Sequence, residues 1–190
     1  MATSNKSEQA HELCDSGKFR EALERFKQLE SESIDSLERA GYLADEATCY
    51  AELGDLTESQ DCICRAKQLV GGDSAASAQI DFLAATLLLE HDQREQGLEA
   101  LRRMLSDYAS WLESSEGREL YEKVQVQRGF TLMHLSRGSQ ARPVLEEAAC
   151  FQLESEVKSR VHCHLGRCYH ELGEYELAKA QFLLARIGHS

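Results

Sequence analysis

One spacing constrains this chain more than any other feature. Small residues recur at Ala22, Ser59, Gly97, Ala141 and Ala178, at intervals of 37, 38, 44 and 37 residues. Intervals of that size mark arrays of two-helix units, each unable to bury its apolar face alone. Four more columns fall into line once this one is fixed. Twelve residues upstream stand Ala10, Ala47, Ala85, Gly129 and Gly166, and three beyond those come Leu13, Tyr50, Leu88, Leu132 and Tyr169. Downstream, Phe26, Ile63, Leu101, Leu145 and Phe182 are followed by Leu29, Ala66, Met104, Ala148 and Ala185. Small residues let two helices approach closely, and large ones fill the space between units. Gly17, Gly54 and Gly173 lie where a first helix must end in a left-handed residue. Asp55 and Glu174 follow where a second helix opens and favours an acid.

The pattern predicts an all-α chain, a right-handed α-solenoid of helix-turn-helix repeats. Five units are expected, at about 3–36, 40–73, 78–118, 122–155 and 159–190. With a single proline and no long Gly/Ser run, they are expected to form one superhelical domain over 1–190. The longest interval, between units three and four, contains Tyr108, Trp111 and Tyr121 and reads as an extended second helix followed by a loop. Trp111 there reads as a plug for the wider gap, with a partner contact as the alternative. Pro143 follows Ser139, a candidate N-cap, and so falls in or just after a first turn.

Leu165, Gly166, Tyr169, Gly173, Tyr175, Ala178, Phe182 and Ala185 together resemble the tetratricopeptide repeat family. Units one (Gly17, Phe19, Ala22, Phe26) and two (Tyr50, Gly54, Ala66) follow the pattern well, while units three and four are degenerate. His162 stands at the family's Trp position, and the usual closing Pro is absent, in keeping with units longer than about 34 residues. The resemblance covers nearly the whole chain. It implies a non-enzymatic interaction scaffold, an adaptor that binds a partner segment in a concave groove lined by the first helix of each unit.

By that resemblance the groove positions are Gly41, Ala44, Thr48 and Ala51 in unit two, then Gln79, Phe82, Thr86 and Leu89 in unit three. Unit four supplies Lys123, Val126, Phe130 and Met133, and unit five Arg160, Cys163, Arg167 and His170. Small at one end, apolar in the middle and basic at the other, this series suits a protein or peptide with an apolar anchor and an acidic flank. Packing of Phe82, Phe130 and Leu89 on neighbouring helices is the competing expectation. One subset of the family clamps a chaperone's terminal carboxylate with Lys, Asn and Arg. The corresponding places here hold Ser7, His11, Ala44, Asp45, Phe82 and Leu83, so no such clamp is expected.

Charge excludes other partners. The net charge is −12, and residues 1–95 carry 9 Lys/Arg against 20 Asp/Glu, a net of −11, leaving −1 for the rest. A nucleic-acid footprint would need cations gathered on one face, so no nucleic acid is expected. No secretory leader opens the chain and no apolar run approaches the roughly 20 residues of a spanning helix, so no membrane partner and a cytoplasmic location are expected. Seven cysteines in irregular spacing read as reduced thiols, and the neighbours Cys62 and Cys64 point to different sides of a helix.

His162, Cys163, His164, Cys168 and His170 offer five potential metal ligands within nine residues. A helix disperses them. His164 and Cys168 share a face, but Cys168 lies in the inward column of Cys49, while Cys163 and His170 flank Arg167. No metal, no cofactor and no catalytic group is expected. A metal- or redox-responsive protein built on the fifth unit stands as the alternative function. A third reading is a self-assembling structural module. Leu177, Leu183, Leu184 and Ile187 leave the last helix apolar on a side that should be polar, so they are candidates for a homodimer contact.

Overall fold

The computed structural model describes residues 2–187, with side chains over residues 6–186. Among the described residues eleven helices and no strands occur. Ten of them follow one another as five pairs: α1 (Ala2–Asp15) with α2 (Phe19–Glu32), α3 (Ser36–Glu52) with α4 (Leu56–Val70), α5 (Ser74–Glu90) with α6 (Arg94–Asp107), α8 (Arg118–His134) with α9 (Gly138–Ala148), and α10 (Ser155–Glu171) with α11 (Tyr175–Ile187). The four-residue α7 (Ala109–Leu112) stands between the third and fourth pairs. The chain divides into two compact units between His91 and Asp92, so that α1–α5 form the first unit and α6–α11 the second.

Helix starts follow from chemistry in the sequence. The Asp35 carboxylate accepts from the Leu37 and Glu38 amides, Asp55 from Glu58, and Asp73 from Ala76, opening α3, α4 and α5. Each such cap contributes about 1 kcal/mol.

First helices end in one recurring turn. Gly17, Gly54 and Gly173 have φ of +74°, +84° and +79°. The amide after each glycine reaches back along the turn, as in Lys18 N to Leu13 O, Asp55 N to Tyr50 O and Glu174 N to Tyr169 O, each at 2.8 Å. The degenerate pairs keep this conformation without glycine: Asp92 (φ +61°) and Ser136 (φ +56°) occupy the equivalent places.

In the first unit, Ala10, Ala22, Phe26 and Leu29 of the first hairpin pack with Cys49 from α3. Leu43, Ala47, Cys62, Ile63 and Ala66 form the next layer, closed by Ile80 and Leu87 of α5. In the second unit one core runs through Leu98, Phe130, Leu132, Leu145, Val161, Leu165, Cys168 and Tyr169. Fully burying a side chain such as Phe26 or Leu145 contributes about 2–3 kcal/mol.

Gly129 and Gly166 show why their column is small. A Cβ on Gly129 would stand 2.5 Å from Leu145 Cδ2, and one on Gly166 2.7 Å from Phe182 Cε1.

Two local expectations are corrected. The extended second helix after α6 is broken at Tyr108 (φ −111°, ψ 18°), giving the short α7, whose Trp111 and Leu112 backbone abuts Gly117 so closely that no Cβ fits there. Ser139 is not an N-cap: α9 begins at Gly138, and Pro143 sits inside it. The proline ring leaves the Ser139 carbonyl without its i+4 amide, and α9 runs only 11 residues.

Candidate functional site

Two helices of the second unit set the geometry. On α8, Lys123, Val126, Phe130 and Met133 recur every three or four residues along one side. On α10, Arg160, Cys163, His164, Arg167 and His170 do the same. Tight packing of Gly129 on Leu145 and of Gly166 on Phe182 ties each of these helices to its own hairpin partner.

The structure brings Phe130 and Arg160 together and adds His134 and His164, neither of which was among the expected groove positions. The Arg160 guanidinium lies 4.8 Å from the centre of the Phe130 ring. The His164 ring is 4.7 Å from Phe130, tilted by 41°, and His134 lies edge-on to His164 at 5.8 Å. Burial, reinforced by Arg167, His134 and Arg160 nearby, lowers the His164 pKa to about 4. His164 is therefore uncharged at neutral pH, and its Nδ1 is buried without a hydrogen-bond partner. The positive charge of this face comes from the guanidiniums.

Arg160 and Arg167 are exposed, and among the described residues neither forms an ion pair. Several other cations of the unit are engaged, Arg118 with Glu122 at 2.9 Å, Lys123 with Glu119 at 2.6 Å, Arg137 with Glu95 at 2.7 Å, and Arg142 with Glu146 and Glu174 at 2.8 Å each. Arg102 and Arg128 bond instead to glutamines, and Lys158, Lys179 and Arg186 form no ion pair among the described residues. Glu171, one turn beyond Arg167, is turned instead onto Gly138 at the start of α9. An exposed pair contributes under about 1 kcal/mol, so the pattern informs recognition more than stability.

The apolar expectations fare differently. Val126, Phe130 and Met133 are only 5%, 5% and 3% exposed and belong to the core of the second unit. The expectation that these three present open apolar contacts is corrected: Arg160 and His164 cover Phe130, and Met133 Sδ packs 3.0 Å from Cys168 Sγ. Phe130 is thus the floor of a basic face. Phe82 and Leu89, half-buried on α5, belong to the first unit. His170 is exposed, edge-on to Tyr175 at 5.4 Å.

The five potential metal ligands of the last hairpin point apart. His162 is buried and bonded through Nδ1 to Gln181 at 2.8 Å, Cys168 is in the core, and Cys163 and His170 are exposed. Among the described residues no three His, Cys, Asp or Glu side chains gather as a metal site. No described helix is long and apolar enough to cross a membrane. Leu177, Leu183 and Leu184 are 48%, 48% and 46% exposed, joined by Phe182 at 40%, and the side chain of Ile187 lies outside those described.

Residues 159–185, which hold most of α10 and of α11, match the family model of the tetratricopeptide repeat. That stretch is similar to a single tetratricopeptide repeat. Solved structures extend the likeness. The tetratricopeptide-like repeats of a Podosopora anserina putative kinesin light chain superpose with a TM-score of 0.72 at 15% identity, covering 98% of this chain and 94% of that one. Pseudomonas aeruginosa pilF gives 0.75 at 15% identity, covering 98% of this chain and 76% of its own. MamA gives 0.67 at 14% identity, covering 95% and 94%. No curated protein sequence matches the chain. At these identities the likeness establishes the fold, an all-α tetratricopeptide-type solenoid, in agreement with the spacing of the small residues.

Proposed function

We propose that this chain is a non-catalytic scaffold that binds an acidic segment of a partner protein, with an apolar anchor, along α8 and α10 of its second unit. What supports the reading is the pair of exposed guanidiniums on one face of α10, Arg160 and Arg167, both without a carboxylate partner among the described residues and the first of them over the Phe130 ring. Their spacing of seven residues, about 10 Å along a helix, matches carboxylates about three residues apart on an extended peptide. Lys123 and His170 extend the face at either end. Phe130 lies beneath Arg160, its ring centre 4.8 Å from the guanidinium, and so restrains the cation that would meet a carboxylate. Phe82 and Leu89, half-buried on α5, are retained as candidate partner contacts of the first unit taken by itself. The free thiols suit a reducing, cytoplasmic setting.

The test is fluorescence anisotropy with labelled peptides that alternate Asp or Glu with Leu or Phe. The acidic series should bind with a Kd of roughly 1–100 µM that weakens as salt rises. Changing Arg160 and Arg167 together to Glu should weaken binding at least about tenfold with the helical content unchanged. Equal binding of lysine-containing counterparts, or indifference to the double change, would overturn the assignment.

A second reading rests on the exposed Leu177, Leu183 and Leu184 of α11. These residues form a contact between two copies of the chain, to which Ile187 adds. Light scattering should then report a mass above that of the monomer at about 100 µM, falling to the monomer value when Leu177 and Leu184 are changed to Glu. A monomer at that concentration would remove this reading.

A further inference from the structure

The repeat register brings sulfur to sulfur in two places. In each, the residue after a member of the Leu13, Tyr50, Leu88, Leu132 and Tyr169 column meets the residue before the next member, 35 positions on. Met133 of α8 meets Cys168 of α10 in this way. In the first unit the equivalent contact is Cys14 of α1 with Cys49 of α3, the two Sγ atoms 3.6 Å apart. A thioether and a thiol can only pack. Two thiols in the same geometry can be joined.

We propose that Cys14 and Cys49 form a reversible disulfide that couples the first hairpin to the second, with Cys14 the entering thiol and a small-molecule disulfide such as oxidised glutathione the oxidant. A disulfide requires about 2.05 Å between sulfurs, so the pair has about 1.5 Å to close, a distance that side-chain rotation and a small shift of α1 supply. Exposure sets the order of events. Cys14 is half-buried, whereas Cys49 is fully buried behind it. The Cys14 thiolate attacks one sulfur of oxidised glutathione and expels a glutathione thiolate, giving a mixed disulfide. The Cys49 thiolate then attacks the Cys14 sulfur and expels the second glutathione. Two protein thiols lose two protons and two electrons, and one glutathione disulfide becomes two glutathione thiols.

The remaining cysteines are placed differently. Cys64, Cys150 and Cys163 are exposed, Cys62 lies 3.9 Å from the Glu46 carboxylate, and Cys168 packs on Met133. Burial raises both thiols of the pair, so few are thiolates at neutral pH and the exchange is slow, on the order of minutes to hours. The linkage is separate from the basic face on α8 and α10, and its test stands whether or not that face binds a peptide.

The experiment uses the whole chain with Cys64, Cys150 and Cys163 changed to Ser. Folded protein is incubated with oxidised glutathione, quenched with iodoacetamide and digested for mass spectrometry. The expected product is a monomer lighter by two hydrogen atoms, with the Cys14 and Cys49 peptides joined and released again by dithiothreitol. Amide exchange over Ala2–Asp15 should slow by roughly tenfold in the oxidised form, because α1 can no longer fray from α3. Changing Cys49 to Ala should leave a stable glutathione adduct on Cys14, and changing Cys14 to Ser should leave Cys49 unmodified. A glutathione adduct that persists on Cys14 with Cys49 present would overturn the proposal. So would a cross-link that forms only in denaturant, or one that involves Cys62 or Cys168.

Discussion

Phe26 and Phe182 hold the same place in the first and last hairpins, yet Phe26 is fully enclosed and Phe182 is 40% exposed. The difference lies in what packs on each. Phe26 shares a layer with Cys49, Tyr42 and Tyr50 of α3, whereas no described helix lies beyond α11. Other differences follow the same positions. The small residue facing the second helix is Ala10 or Ala47 at one end and Gly129 or Gly166 at the other, and the sulfur contact is thiol–thiol in the first unit and thioether–thiol in the second. Residues up to 91 hold 8 Lys/Arg against 18 Asp/Glu, and those from 92 hold 13 against 15. The repeat columns set the architecture, and the residues between them set what each unit can do.

Breaking the comparison at its strongest point means truncating both phenylalanines. Phe26→Ala should cost about 4 kcal/mol of unfolding free energy in urea, and Phe182→Ala about 1 kcal/mol, because only the first leaves an enclosed cavity. Equal costs would show that α11 is covered in solution, as the contact between two copies requires.

Next in size is a buried acid. Glu46 is 2% exposed, its Oε1 unpaired, on the α3 face where Leu165 stands in α10. Burial raises its pKa to about 7, with Glu30 raising it further and Arg65 and Lys27 only partly opposing. Its folded pKa lies above the ordinary 4.5, so its contribution to stability is full below pH 4.5 and falls away as pH rises toward 7. Glu46→Gln should therefore stabilise the protein by about 2–3 kcal/mol at pH 8 and by little at pH 4. A difference between the two proteins that does not change with pH would contradict this.

Adding one methyl group sharpens the contrast between an interior and a terminal hairpin. Gly129→Ala drives a Cβ against fully enclosed Leu145 and should cost about 2 kcal/mol, measured by urea unfolding. Gly166→Ala meets Phe182, which is free on one side to move, and the gain in helix propensity should hold its cost below about 1 kcal/mol. The smallest effect is at the turns. Ser136→Gly should stabilise by about 0.5–1 kcal/mol, while Gly173→Ala should destabilise by about 1 kcal/mol, both read from thermal unfolding.

These contrasts also mark how far the sequence could be read. The small and large columns were legible because packing admits few residue types at each place: Leu101 and Leu145 sit where the spacing puts them, fully enclosed. The left-handed turns were legible where glycine announced them and silent at Asp92 and Ser136, where a residue with a side chain holds the same conformation. At the candidate site, helical spacing placed Phe130 and Arg160 on matching faces. It could not say that Arg160 and His164 would close over Phe130, since that depends on the register of α10 against α8. His164 carried a usable signal, four residues after Arg160 and four before Cys168. Glu46 carried none, because a charged residue reads as surface until its neighbours are known. Cys14 and Cys49 become partners only when adjacent hairpins are set side by side.

The central claim is that the face of α8 and α10 built on Phe130, Arg160 and Arg167 receives an acidic partner segment. The direct measurement is a two-dimensional amide NMR titration of the labelled protein with an Asp/Glu-rich peptide containing one Phe or Leu, at low and high salt. Shifts should centre on Phe130, Arg160, His164 and Arg167 and shrink as salt rises. Shifts confined to other surfaces, or none at millimolar peptide, would contradict it.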